Sequence, residues 1–297
     1  PVGQQRFFLP CRLGVLLSRH CFLYDRSLMF TDSHCHLNFP ELSANLPAIQ
    51  AAMAEAQVTR ALCISCTMEE FPEVHALATA YDNLWCTVGV HPDTEHMTEP
   101  SVQDLLERAA LPRVVGIGET GLDYYGMEDR KGGRTIADMQ WQRERFRTHI
   151  RAAQQCAKPL VIHTRAAHED TIRILKEEGE DGSSGSAGGV FHCFTESLEV
   201  AKQALDLGFY ISFSGIVTFK SAQYLRDVAA FVPADRLLIE TDSPYLAPMP
   251  YRGKTNSPAY VPFVAKQVAQ VRGLSVQEVA ELTSQNFDQL FKGVVTG

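Results

Sequence analysis

The feature that most constrains the fold is a repeat of short apolar segments, each followed by an amphipathic segment of helical periodicity. Near-continuous apolar strands indicate burial on both faces, which is typical of parallel sheets. Eight strands that alternate with helices predict an α/β fold, a single-domain TIM (β/α)8 barrel. An open doubly wound sheet is the alternative, because short apolar segments are easily miscounted. The eight segments are residues 30–37, 60–66, 84–92, 114–121, 159–165, 189–194, 210–215 and 236–244.

The segments between the predicted strands have helical periodicity, and two further helices close the chain. The predicted helices cover residues 46–57, 70–80, 101–109, 139–157, 167–178, 198–207, 222–231, 258–271 and 275–291. Residues 126–138 form a polar loop after the fourth strand, where a loop can cover a site. Residues 182–189 are rich in Gly and Ser, so we expect a flexible connection there and no chemistry.

Residues 1–28 are treated apart from the fold. Arginines flank two apolar pieces in this segment, so a short targeting peptide is one interpretation. The preferred interpretation is a leader derived from a vector or from upstream translation, with Met29 as the natural start. The predicted barrel domain therefore comprises residues 29–297.

Composition limits the possible partners. The net charge of −8 argues against a polycation that coats nucleic acid, so an anionic substrate must be attracted locally. The 8 cysteines are too sparse for a disulfide scaffold and indicate free thiols in a reducing cytosol. No apolar stretch is long enough to span a bilayer. We expect a cytoplasmic protein without membrane association, with a monomer favoured.

Ionisable residues stand at the carboxyl ends of several predicted strands. His34 and His36 lie two residues apart on the first strand, so their imidazoles share a face and can bind one metal ion. Taken alone, a strand-end His is ordinarily hydrogen-bonded filler, and a strand-end Asp or Glu ordinarily caps the next helix. In a parallel barrel, however, all the strand ends meet at one face. Five strands that end in this way predict a metal centre, with Glu119, His163, His192 and Asp242 as the further ligands.

Six ligand residues are too many for one four-coordinate zinc ion. They suit two divalent cations, about 3.5–4 Å apart, that share a carboxylate and a water molecule. Glu119 is the predicted bridge. His34, His36 and Asp242 would complete the coordination of one metal, and His163 and His192 that of the other. Two cations against two carboxylates leave the pocket at about +2, which would attract a phosphate.

Residues beside the predicted ligands suit an anionic substrate. His91 ends the third strand, Arg165 lies two residues beyond His163, and Asn256 lies in the loop after the eighth strand. We predict that these three residues bind substrate. Arg252 and Lys254 lie in the same loop as Asn256. They either hold phosphodiester oxygens or are solvated charges without a role in the site.

Two further acidic positions, Glu240 and Asp32, have two interpretations each. Glu240 shares a face with Asp242 and lies one layer deeper, so it either assists proton transfer or orients a His ligand. Asp32 bears the same relation to His34. Glu119, Asp242 and Glu240 are the predicted catalytic residues, with Asp242 handling the proton.

The strand-end motifs resemble those of the TatD family of metal-dependent deoxyribonucleases, and the resemblance covers Phe30 to the C-terminus. It implies a TIM barrel of the amidohydrolase superfamily, a two-metal site and hydrolysis of DNA phosphodiester bonds, often as an exonuclease. All the family's metal positions are occupied; residues 1–28 and the long Gly/Ser segment depart from the pattern. The matching segments are residues 32–36, 89–92, 116–124, 162–165, 192–194, 240–246 and 252–258, the last apart from Thr255 and Ser257.

Three functions follow from these observations. The first is a DNA phosphodiesterase that uses two divalent ions, with Zn, Mn, Mg or Co as candidates. The second is an amide or ester hydrolase of the same superfamily, such as a D-aminoacyl-tRNA deacylase. Amidases of that superfamily often bridge their metals with a modified Lys, whereas Glu119 stands at this position and Lys131 lies in a loop. The third is a non-enzymatic metal-binding protein, which the absence of a Cys-rich ligand pattern disfavours.

Overall fold

The computed structural model describes residues 29–294, and they form an eight-stranded parallel barrel surrounded by helices. Each strand pairs with the next one along the chain, in the order β1 to β8. This arrangement confirms the predicted TIM (β/α)8 fold and excludes the open doubly wound sheet. The prediction for residues 1–28 lies outside the described residues. The strands are β1 (Phe30–Cys35), β2 (Val58–Cys63), β3 (Leu84–Val88), β4 (Val114–Asp123), β5 (Leu160–Arg165), β6 (Gly189–Phe191), β7 (Tyr210–Phe213) and β8 (Leu237–Ile239).

The barrel closes between the first and last strands. The Asp242 backbone N–H donates to the His34 carbonyl (2.9 Å), and the His36 N–H donates to the Ser243 carbonyl (2.8 Å). Cys35 and Ser243 form a parallel bridge between these hydrogen bonds. The seam therefore runs through the residues that carry the predicted metal ligands.

Ten α-helices within residues 29–294 cover the outside of the barrel and its ends. Ser101 and Ser275 begin two of them with capping boxes, in which the carboxylates of Asp104 and Glu278 accept a hydrogen bond from the backbone N–H of the serine. None of the helices in this part of the chain combines the length and the apolar character needed to cross a lipid bilayer. The helices are α1 (Pro40–Ser43), α2 (Leu46–Glu55), α3 (Phe71–Ala80), α4 (Val102–Ala109), α5 (Gln140–Cys156), α6 (His168–Glu177), α7 (Leu198–Asp206), α8 (Gln223–Phe231), α9 (Val261–Arg272) and α10 (Val276–Leu290).

The inside of the barrel is layered. A cluster of buried apolar side chains includes Val161, Val190 and Leu238. Because side chains of a strand alternate between faces, His163 and His192 lie on the same face as Val161 and Val190, one layer nearer the carboxyl end. An apolar layer therefore supports the polar layer and excludes water from beneath it.

Helix α5 holds the loop that follows β3. The buried His149 ring accepts a hydrogen bond at Nε2 from the Val90 N–H (3.0 Å) and donates from Nδ1 to the Arg145 carbonyl (2.8 Å). The Arg145 guanidinium donates to the carbonyls of His91 and Thr94, both at 2.8 Å. These bonds fix the backbone that carries the His91 side chain.

The pairing of His149 predicts a loss of stability in acid. Burial lowers the pKa of His149 from 6.5 to about 4, because the ring has no room for a hydration shell. The unfolded chain therefore gains a proton as the pH falls below 6.5, while the folded chain gains one only near pH 4. This histidine's contribution is complete above pH 6.5, and about 3 kcal/mol is lost between pH 6.5 and 4.

Urea unfolding of chelator-treated protein between pH 7 and 4.5 measures this effect. We expect the stability gap between the wild type and His149→Gln to shrink as the pH falls. His75→Gln, on a partly exposed histidine of α3, is the matched control. Parallel pH curves for the wild type and His149→Gln would contradict the prediction.

Candidate metal centre

A cavity of about 630 Å³ opens at the carboxyl ends of the strands, and the predicted site residues gather around it. This is the face at which parallel barrels place their chemistry. Side chains from all eight strand ends, or from the loops that follow them, reach its surface. They are His36, Phe39, Cys66, His91, Thr94, Glu119, His163, Thr164, Arg165, His192, Cys193, Thr195, Ile216, Asp242, Tyr245 and Leu246.

Glu119 lies at the centre of the cluster, and its two carboxylate oxygens face different imidazoles. Oε2 lies 3.4 Å from His34 Nε2 and 3.9 Å from His36 Nε2. Oε1 lies 2.8 Å from His192 Nε2 and 3.1 Å from His163 Nδ1. Burial alone would raise the pKa of Glu119, but the neighbouring imidazoles, His192 foremost, lower this pKa well below its usual range. The carboxylate is therefore ionised and oriented toward two groups of ring nitrogens.

Asp242 joins the group on the β1 side. Its Oδ1 lies 3.3 Å from His36 Nε2 and 3.6 Å from His34 Nε2. Burial raises the pKa of Asp242, yet the hydrogen bond with His36 and the charge of nearby imidazoles lower it below the ordinary value. One ligand atom from each of His34, His36 and Asp242 lies within 4.8 Å of the others, which is close enough for one ion.

His91 lies on the other side of Glu119. Its Nε2 is 3.4 Å from Glu119 Oε1, and His91, Glu119 and His163 form a further group that could hold an ion. Burial lowers the pKa of His91 to about 3, so its ring is neutral, as a metal ligand must be. The predicted role in substrate binding stays a prediction, and the geometry also allows ligation.

The donor set fits divalent cations. Imidazole nitrogens and carboxylate oxygens are ligands that suit Zn, Mn and Co. His34 Nε2 and His36 Nε2 lie 3.3 Å apart, and the His34 and His192 rings stack with centroids 3.8 Å apart. These nitrogen and oxygen lone pairs crowd one buried region, where a bound cation would offset their mutual repulsion. The structure thus brings together all six predicted ligand residues.

Two further carboxylates contact the ring nitrogens of His192 and His163 that do not face Glu119. Glu240 Oε1 lies 3.3 Å from His192 Nδ1 and accepts a bond from the Cys193 N–H (2.7 Å). Asp123 Oδ2 lies 3.1 Å from His163 Nε2. Such partners fix the ring orientation and the tautomer of a ligating His. Glu240 is fully buried behind His192 and does not line the cavity, which favours the orienting interpretation over a direct catalytic one.

The sequence analysis did not identify Asp123. The strand β4 runs to Asp123, two residues beyond the predicted end, and Glu119, Gly121 and Asp123 alternate onto one face. Continuing the period-2 pattern by one step would have found this residue. Cys66 was also missed; its Sγ lies 3.6 Å from His36 Nδ1 and it contributes the β2 side of the cavity.

Asp32 makes contacts that neither of its two predicted roles requires. Its carboxylate accepts hydrogen bonds from the Thr241 N–H (2.9 Å) and hydroxyl and from the His34 backbone N–H (3.3 Å). Burial raises the pKa of Asp32 to about 8. Asp32 therefore connects β1 to the segment after β8 and makes no hydrogen bond to the His34 ring.

The residues predicted to bind substrate divide into two kinds. Arg165 lines the cavity, with its guanidinium carbon 3.7 Å from the centre of the Tyr125 ring. Asn256 is fully buried, and its amide donates to the carbonyls of Thr241 and Tyr245. Asn256 therefore positions the loop after β8, and the prediction that it contacts substrate does not fit its burial. Arg252 and Lys254 also do not line the cavity.

Lys131 links the loop after β4 to the Asp123 carboxylate that contacts His163. Its side chain is buried, its ammonium pairs with Asp93, and it lies 3.8 Å from Asp123 Oδ1. The predicted loop at 126–138 thus closes over the outer side of the Asp123 carboxylate. A Lys whose charge is paired in this way is not free to bridge metals.

The contact between Asp123 and His163 predicts the effect of Asp123→Asn. Without the Asp123 charge next to Nε2, the tautomer and orientation of the His163 ring are less well fixed. We therefore expect a loss of about 10–100-fold in metal affinity or activity. Metal titration by calorimetry, together with turnover of a phosphodiester, measures both quantities. Asp129→Asn, an exposed aspartate in the same loop, is the matched control. Equal values for the two variants would contradict the role assigned to Asp123.

The barrel and its His–carboxylate cluster define the class of metal-dependent hydrolases with a TIM-barrel fold. The family model described as TatD related DNase matches residues 31–292. The chain belongs to the TatD family.

Individual relatives agree with this assignment. The chain is 44% identical over 268 residues to the metal-dependent hydrolase YcfH of Escherichia coli K12, covering 89% of this chain and 96% of that protein. It is 32% identical over 268 residues to a protein of Edwardsiella piscicida named 3'-5' ssDNA/RNA exonuclease TatD, covering 88% and 98%. The crystal structure of YjjV, a TatD homologue from E. coli K12, superposes with a TM-score of 0.79 at 29% identity, covering 88% and 97%.

Proposed function

We propose that this protein hydrolyses phosphodiester bonds of DNA with two divalent metal ions, and that it acts as an exonuclease. The observation that carries the proposal is the orientation of Glu119, whose two oxygens face two separate groups of imidazoles. A buried carboxylate in this position suits a ligand shared by two ions. The group formed by His34, His36 and Asp242 would hold one ion. His163 and His192 would hold the other.

The charges around the cavity support an anionic substrate. Arg165 is the one Lys or Arg among the described residues that line the cavity, and residues 29–294 provide no carboxylate in an ion pair with it. A guanidinium that is not paired with a protein carboxylate suits phosphate oxygens. Because the net charge of −8 repels anions overall, an anionic substrate needs a local positive charge, and Arg165 supplies one.

The chain's own residues divide the remaining work. Bound divalent ions would polarise the phosphoryl oxygen and lower the pKa of water toward neutrality. Asp242 lines the cavity beside His36, and its ionised carboxylate is placed to accept a proton from the attacking water. Glu240 and Asp123 hold the rings of His192 and His163, and Arg165 holds the neighbouring phosphate.

The relative from Edwardsiella piscicida supports a nucleic-acid substrate and exonucleolytic action, since its name includes both. The size of the cavity also suits the end of a strand. A volume of about 630 Å³ falls in the range of small-molecule sites, whereas an extended nucleic-acid groove runs across a surface.

An amide or ester hydrolase, such as a D-aminoacyl-tRNA deacylase, is the second candidate. A His-rich two-metal site can in principle polarise a carbonyl as well as a phosphoryl group. The pairing of Lys131 with Asp93, away from the cavity, removes the Lys that an amidase-type bridge would use. The same pairing favours the phosphodiesterase.

Purified protein tests the proposal directly. Elemental analysis without chelators should find about two metal equivalents per chain, and chelation should stop hydrolysis until Zn, Mn, Co or Mg is restored. Single-stranded oligonucleotides labelled at either end should release mononucleotides from one end. Cleavage of aminoacyl esters without cleavage of DNA would favour the second candidate. Metal binding without hydrolysis of any ester would favour a non-enzymatic protein.

The proposal includes the location of the protein and its oligomeric state. The described cysteines are all free thiols, which supports a reducing cytosol as the location. Every proposed metal ligand comes from one chain, so the site is complete in a monomer.

A further inference from the structure

The walls of the cavity differ in chemistry. Phe39 follows β1, Tyr245 follows β8 and Ile216 follows β7, so three neighbouring strands provide one apolar wall. Arg165 ends β5, which lies across the barrel from β1 because three strands separate them in either direction. The metal-ligand cluster lies between these walls. A molecule that fills the cavity therefore meets a cation on one side and flat apolar surface on the other.

Tyr245 gives the apolar wall an exposed aromatic face. The residue is 53% exposed, which is high for a large hydrophobic residue. Its ring meets Phe39 edge to face, with centroids 6.1 Å apart. Phe39 in turn stacks on the His36 ring at 4.7 Å and 17°. The two aromatic rings therefore form a continuous surface that begins at a proposed metal ligand and extends to the mouth of the cavity.

The backbone fixes the position of this surface. The Tyr245 N–H donates to the Asp242 carbonyl (3.0 Å), and the Tyr245 carbonyl accepts from the Asn256 amide (2.6 Å). The Tyr245 backbone is thereby held beside the residue proposed to handle the proton. Because this backbone is already ordered, a ligand that packs on the ring pays no cost for ordering the main chain.

We propose that Phe39 and Tyr245 form a stacking subsite for the nucleobase next to the scissile phosphodiester. The inference rests on the proposed nuclease function and adds the part of the substrate that this wall recognises. Bases stack on aromatic side chains with about 1–3 kcal/mol each, and stacking tolerates any base because every base has a π-face. The wall offers apolar surface and no charged group, so the subsite recognises the presence of a base rather than its identity.

The experiment compares two single strands: oligothymidylate, and the same strand with abasic residues at the two positions nearest the cleaved end. The wild type should prefer the intact strand by about 5–150-fold in kcat/KM, the ratio that corresponds to the stacking energy of one base. In Tyr245→Ala this preference should fall toward one, and in Tyr245→Phe it should persist. Phe231→Ala, an exposed aromatic of α8 outside the cavity, is the control.

Several outcomes would overturn the subsite. An unchanged preference in Tyr245→Ala, or an equal loss in Tyr245→Phe, would exclude stacking on this ring. Metal content, measured on each variant, excludes an indirect effect through His36 or Asp242. If the metal-loaded wild type cleaved neither strand but hydrolysed aminoacyl esters, the proposed function itself would be wrong, and the subsite with it. If it cleaved both strands equally, only the subsite would fail.

Discussion

Replacing Glu119 with Gln should remove most of the activity and part of the bound metal. The amide keeps the size of the side chain but has neither the charge nor two equivalent oxygens to face His34 and His192. Metal ions supply several kcal/mol to such reactions, so we expect turnover to fall by about a thousandfold or more. Steady-state kinetics and elemental analysis of the same preparation measure the two losses.

The control for this variant is Glu73→Gln, an exposed glutamate of α3. Thermal unfolding of both variants shows whether the fold is retained. Burying a neutral amide among imidazoles also removes the charge that holds them, so some loss of rigidity at the site is part of the effect. Wild-type hydrolysis of single-stranded DNA by Glu119→Gln, after chelation and return of metal, would exclude the shared carboxylate and the mechanism that depends on it.

Asp242→Asn should lower turnover with a smaller loss of metal than Glu119→Gln. Asp242 has a positive φ of 57°, a conformation that Asn also tolerates, so this change adds no backbone strain. The Asn oxygen can still face His36, but the side chain no longer accepts a proton. General acid–base catalysis contributes about 10²–10⁴-fold, and we expect a loss in kcat of that size.

Three results distinguish the roles of Asp242. A fall in kcat with metal retained supports proton handling. Complete loss of one metal equivalent with an equal loss of activity would reduce Asp242 to a ligand. Unchanged kcat would exclude both roles. Asp227→Asn, an exposed aspartate of α8, is the matched control.

The fold was predictable because burial leaves a strong pattern in the sequence. All eight strands and the main helices occur where the periodicity placed them, as for α5, which was predicted at 139–157 and spans Gln140–Cys156. The ends of β6 and β8 were less predictable. β8 was predicted to reach residue 244, but its ladder ends at Ile239. Beyond that point Glu240 lies behind His192 and Asp242 lines the cavity.

The candidate site was predictable only in part. The six proposed ligands were found because the ends of parallel strands converge, whatever the loops do. Lys131 and Asp93 are 38 residues apart, and their pairing depends on how two loops pack, for which the sequence has no periodic signal. The burial of Asn256 likewise depends on the fold of the segment after β8. Asp123 differs from these, since the strand pattern contained the information.

The seam between β1 and β8 affects how the protein is made. His34 and His36 leave the ribosome about two hundred residues before Asp242, the partner that completes their ligand group. A nascent chain can form most of its strands and still lack the last carboxylate of the first ion site. Closure of the ring completes that ligand group, so we expect the proposed ion to bind there only after the final strand has been synthesised. A cation that meets the incomplete chain finds two of the three ligands of this group.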